Sequence, residues 1–179
     1  ALQEYVLLDE RVTVGPDGES HLLPAPEDRS ASAVALAEPW ACVEDSYTVC
    51  DRRGLKAGGR ALVVVDAGVD ANLGGLPYDD CREVITVGAA RGMPPRAGRA
   101  ATPAAADGQY DDVLYAGAFP ATIESLWAKL APGGILNLVF AGGRLDRPVK
   151  VPLGRIHYSN LRIVGTAGAR AADGYARIP

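Results

Sequence analysis

Apolar residues in this chain fall into short runs separated by glycine and proline. From Ala61 to Val65 the sequence is "ALVVV" with no polar side chain, the pattern of a strand buried on both faces. "REVITVG", "DDVLYAG", "ILNLVFAGG" and "NLRIVGTAG" repeat that character further on. Between the second and third of these lies "PATIESLWAKLAPGG", where Ile123, Leu126, Trp127 and Leu130 share one helical face. Pro120 suits the start of that helix and Gly133-Gly134 its end. Strand, helix and strand at this spacing predict a right-handed parallel crossover, and therefore an α/β domain.

The remainder is less periodic. "QEYVLLDERVTV" reads as two short strands or one bent one, closed by a turn at Gly15-Pro16-Asp17-Gly18. A proline-bearing linker follows, and Ser30 or Asp28 can cap a helix through Val34 and Leu36. Pro39 is expected to interrupt it before Trp40, Val43, Tyr47 and Cys50 resume a helical spacing. Segment 89–109 carries many Pro and Gly breakers and no apolar period, so it predicts the most mobile internal stretch.

Composition changes this picture little. A net charge of -4 supplies no basic excess to neutralise phosphates, which argues against a nucleic-acid partner. No apolar run approaches a bilayer span, so no membrane partner is expected. Cys42, Cys50 and Cys81 form no C-x-x-C pair, as expected of idle thiols in a reducing cytoplasm. His21 and His157 lack a Cys, Asp or Ser at motif spacing, so neither is a catalytic candidate.

The order of the pieces "EYVLLDERVTVGPDG", "ALAEPWACVEDSY", "GLKAGGRALVVVDAG", "YDDVLYAGAFPATIESLWAKLAPGGILNLVFAGG" and "IHYSNLRIVGTAGA" resembles the medium-chain dehydrogenase/reductase family, nearest its sorbose-phosphate reductase type. That family pairs a GroES-like β domain, holding zinc and substrate, with a Rossmann domain for NAD(P). The resemblance covers the tail of the first and the body of the second. It implies a remnant of strands and linker over 1–30 and a Rossmann-like domain, mostly parallel and reduced, over 31–179. The family's zinc-binding Cys and His-Glu pair have no counterpart here. Glu38 matches a glutamate near the metal, but one carboxylate is no zinc site, so neither metal ligands nor catalytic residues are assigned. If a dinucleotide binds, the family positions imply Gly68, Gly117, Phe140, Ala141 and Thr166 as its lining. The resemblance also implies a homodimer through the edge strand between Leu161 and Thr166, or packing against another domain of the same protein.

The turn after the first strand decides the functional expectation. A dinucleotide loop reads G-x-G-x-x-G or G-x-G-x-x-A, with one glycine for the tight turn and the next for close approach of pyrophosphate. Here Asp66, Gly68 and Ala71 occupy those places, and Asp70 adds a second carboxylate. "NLGGLPYDD" then brings two glycines and a proline, which cost a helix interior roughly 1 and 3 kcal/mol each. No acidic residue for the ribose follows the second strand, which ends in Gly88 and Ala89; Arg91 there reads as a solvated loop arginine. The turn reads as a relic, and no cofactor is expected. Two readings stay open: a non-catalytic module used for packing or partner binding, and part of an NAD(P)-dependent, zinc-type oxidoreductase whose zinc domain lies elsewhere.

Overall fold

The structure, a computed structural model, describes residues 7–22, 24–48 and 52–176, without the side chains of 44–48. The chain divides into two units, Ala1–Val49 and Cys50–Pro179. In the first unit, the N-terminal helix α1 (Glu10–Thr13) stands where strands were expected. Asp9 caps it, its side chain accepting the Arg11 N–H, and this local bond favours a turn over an extended chain. The turn expected at 15–18 is present, closed by an antiparallel bridge between Val14 and Ser20. Ser30 caps α2 (Ala31–Ala35) by accepting the Ala33 N–H. Pro39 does not interrupt the next helix: it lies in the first turn of α3 (Ala37–Thr48), where a missing N–H costs no helical bond. Gln3 to Val6 and Cys50 lie outside the described residues.

The second unit is built on six strands: β1 (Arg60–Val65), β2 (Glu83–Val87), β3 (Gly98–Arg99), β4 (Tyr110–Ala116), β5 (Leu130–Val139) and β6 (Arg162–Thr166). Their order in the sheet is β3-β2-β1-β4-β5-β6 and every ladder is parallel. That is the Rossmann order, and it reverses direction between β1 and β4. The sheet is α/β and Rossmann-like, as its sequence predicts. The sheet is not the reduced one that was expected: all six strands of that order are present.

Each face of the sheet has its own core. On one, Leu62, Val64, Val113, Tyr115 and Leu136 pack against Ile123, Leu126 and Trp127. The first two of these partners belong to α4 (Pro120–Leu126), which the predicted apolar stripe built. Burial of each such side chain stabilises the fold by roughly 1.5–3 kcal/mol. On the other face, Ala61, Val63, Val65, Leu114 and Ala116 meet Leu73, Tyr78, Ala171 and Tyr175. No α-helix covers this face among the described residues; two 3-10 segments, Tyr78–Asp80 and Ala171–Tyr175, do so instead. The glycines and Pro77 in the stretch after β1 explain why.

α4 ends earlier than its sequence suggests. It passes into a 3-10 turn, Trp127–Lys129, and β5 begins at Leu130, so Gly133 and Gly134 lie inside the strand at a shift of register. Pro132 bars a helix from running on through it, and the pairing of Leu130 with Tyr110 draws the chain into the strand before that point. The Arg155 guanidinium, on α5 (Leu153–Tyr158), donates to the carbonyls of Trp127 and Leu130 that the early ending frees, the latter at 2.6 Å.

Segment 89–109 is not structureless. It contributes β3, and Arg96 Nη2 donates to the carbonyls of Tyr78 at 2.8 Å, Asp79 at 2.9 Å and Cys81 at 2.8 Å. The sequence hid this because the tie is one side chain gripping backbone, which leaves no period.

Candidate functional site

Ligands of open α/β sheets sit beyond the carboxyl ends of the strands, at the point where strand order reverses. Here that point lies between Val65, the last residue of β1, and Ala116, the last of β4. A cleft of about 570 Å³ opens there, bordered by Asp66, Gly68, Gly117, Phe119, Phe140 and Arg144 among others. Four of the five residues implied as a dinucleotide lining, Gly68, Gly117, Phe140 and Ala141, border this cleft. Thr166 is not among them. Its carbonyl accepts the Phe140 N–H at 3.0 Å and its hydroxyl accepts the Gly168 N–H at 3.0 Å. It therefore shapes the cleft floor through backbone, by fixing the turn after β5.

Asp66 dominates the inner end of the cleft. Its carboxylate accepts a hydrogen bond from the hydroxyl of Tyr115, a residue with no exposed surface. That hydroxyl in turn accepts the Phe119 N–H at 2.9 Å. Burial, and then the bond to Asp66, push the Tyr115 phenol well above its usual range, so it stays protonated and donates. The same carboxylate closes over Gly117, whose φ is +157°: a Cβ at Gly117 would run into Asp66 Oδ2. Glycine suits this position both because of its φ and because the Asp66 carboxylate and the Tyr115 hydroxyl hold the space.

Asp70 also borders the cleft but is 82% exposed and lies 3.2 Å from Arg91, itself 82% exposed. Water screens such a pair, so its field on the cleft is small. Arg91 is the solvated arginine that its loop position predicts. The part played by Tyr115 leaves no signal in the sequence beyond a hydroxyl near the end of a strand that is apolar from Val113 on.

Whether these residues fit a dinucleotide follows from the geometry. A pyrophosphate needs close approach to the turn after β1 and amide donors from a following helix. Asp66 fills the approach with charge, and the stretch to Pro77 holds no helix. Two unit charges about 4 Å apart repel by roughly 4 kcal/mol at an effective dielectric near 20. The residues do not fit the group. As to metal, no cluster of three or more His, Cys, Asp or Glu among the described residues could hold an ion. Glu38 lies in the first turn of α3, where it accepts a hydrogen bond from the Cys42 thiol at 3.1 Å. No described helix is long and apolar enough to cross a membrane.

Comparison with known proteins finds distant likenesses. No protein-family model matches the chain. It is 27% identical over 188 aligned positions to the uncharacterized protein YggP of Escherichia coli (strain K12), covering 79% of this chain and 43% of that one. Among solved structures it is similar to L-idonate 5-dehydrogenase of Escherichia coli, with 14% identity, a TM-score of 0.44, and coverage of 80% of this chain and 44% of the other. Glucose dehydrogenase of Haloferax mediterranei, in complex with NADP, Zn and gluconolactone, aligns at 18% identity and a TM-score of 0.42, over 83% of this chain and 46% of its own. The chain is thus similar to zinc-dependent medium-chain dehydrogenases and spans less than half their length. The Rossmann assignment rests on the strand order itself, and these distant likenesses add no argument about chemistry.

Proposed function

We propose that this chain is a non-catalytic or accessory Rossmann-like module of medium-chain dehydrogenase/reductase descent, acting in packing or partner binding within a larger protein or assembly. The observation that carries the reading is the Asp66 carboxylate, hydrogen-bonded to Tyr115 at the reversal of strand order. A side chain of the protein takes the room and the donor that a cofactor phosphate requires. Titration calorimetry with NADH and NADPH tests it. We expect no dissociation constant below about 100 μM, roughly 5.5 kcal/mol; tighter binding by the wild-type chain overturns the module reading.

A second reading keeps the chain as part of an NAD(P)-dependent, zinc-type oxidoreductase, with the zinc domain supplied elsewhere. The specific support is the surviving cleft, which still gathers Gly68, Gly117, Phe140 and Ala141 beyond the strand ends. NADP and zinc accompany a relative of similar fold, the glucose dehydrogenase. Tight NADPH binding in the same titration would favour this reading.

For a partner we propose a second copy of the chain, pairing through the edge strand between Leu161 and Thr166. β6 is the last strand of the sheet, and Ile163 on it is 45% exposed. An apolar open edge invites pairing.

A further inference from the structure

We infer that the Asp66 carboxylate is the resident occupant of the strand-reversal crevice, an internal anion held by Tyr115 where a pyrophosphate would otherwise be held. The inference deepens the module reading and rests on it. Three observations meet at this point. Asp66 and Gly117 directly follow the two strands between which the order reverses, so the carboxylate lies at the mouth of the crevice. The space over the Gly117 Cα, where a ligand could approach backbone, is filled by Asp66 Oδ2 together with the Tyr115 hydroxyl that holds it. The fully buried Tyr115 hydroxyl spends its one proton on that carboxylate while its oxygen takes the Phe119 N–H.

A carboxylate and a phosphate oxygen ask for the same kind of donor. The bond that an incoming anion needs is therefore already made within the chain. Loss of the Asp66 side chain removes the charge, opens part of the approach to Gly117, leaving the Tyr115 hydroxyl beside it, and frees the Tyr115 proton in one step. The remaining charges near the cleft do not reverse this. Asp70 is screened by solvent and by Arg91, and Asp146 and Arg144, both bordering the cleft, are of opposite sign. Of the two features that oppose a pyrophosphate here, the carboxylate and the missing helix, the carboxylate is the one that a single substitution removes.

The test is titration calorimetry with inorganic pyrophosphate and with adenosine diphosphate. The chains compared are wild type, Asp66→Gly, and Asp66→Gly combined with Tyr115→Phe, each checked for fold by circular dichroism. Asp66→Gly is expected to bind both probes at least tenfold more tightly than wild type, and Tyr115→Phe to remove most of that gain. A folded Asp66→Gly chain that binds no more tightly overturns the inference, as does a gain that survives loss of the hydroxyl. Asp66→Ser, small and neutral, is judged by the same criteria should the glycine variant fail to fold. Failure of the module reading looks different: there the wild-type chain already binds NADPH tightly. A silent wild type with an unresponsive variant overturns only the role of Asp66 as resident anion.

Discussion

At the scale of single residues, the consequence of Asp66 is steric as well as electrostatic. Gly117→Ala would place a Cβ against Asp66 Oδ2 at a φ of +157°. We expect a loss of about 1–3 kcal/mol of stability, the usual range for such backbone strain, measured by urea unfolding. If the carboxylate is the cause, the loss shrinks when Asp66→Gly is made as well; an undiminished loss would place the strain elsewhere in the turn. Tyr115→Phe leaves both the Asp66 carboxylate and the Phe119 N–H short of a partner, and should cost about 1–3 kcal/mol in the same assay. The Asp at the first glycine position was legible from the sequence, because the fingerprint says where to look. Its partner was not, since β1 and β4 are adjacent only in the sheet and 49 residues separate Asp66 from Tyr115.

At the scale of elements, two ties replace the missing crossover helix and the shortened α4. Arg96 joins the β2–β3 connection to the 3-10 turn before β2. Arg96→Ala should therefore speed limited proteolysis within 89–109 relative to wild type, with the fragment masses locating the cut. An unchanged rate would mean that the β3 pairing alone orders the segment. Glu124 on α4 receives both Arg147 Nη atoms, at 2.7 and 3.0 Å, and the Lys150 N–H at 2.9 Å. The Arg147 guanidinium and then that backbone N–H hold its carboxyl down to about 2, from an ordinary 4.5. A lowered folded-state value means stability present above pH 4.5 and lost as pH falls toward 2. Glu124→Gln should flatten the acid limb of the stability profile in that window; an identical limb would show that solvent cancels the pair. The main strands and α4 were readable because burial imposes continuous apolar runs on the first and a period of 3.6 residues on the second. The early end of α4 was not, because the choice between helix and strand for Leu130 depends on its pairing with Tyr110.

At the scale of the whole molecule, the open edge at β6 carries the assembly prediction. We expect the chain to sediment as a dimer and Ile163→Lys, a charge on that edge, to sediment as a monomer. A wild-type monomer at high concentration removes the proposal. The sequence by itself determined the class of sheet, since runs such as "ALVVV" and "VLYA" are apolar on both faces and an α/β arrangement buries both. It also determined that the turn after β1 departs from a dinucleotide loop, because that information is local and lies in the residue types. Only the tertiary structure decided that β3 completes the Rossmann order, that 3-10 turns cover one face of the sheet, and that Tyr115 holds Asp66 in the crevice. Each of those depends on contacts between residues far apart in the chain, and such contacts leave no pattern in a sequence until the sheet brings them together.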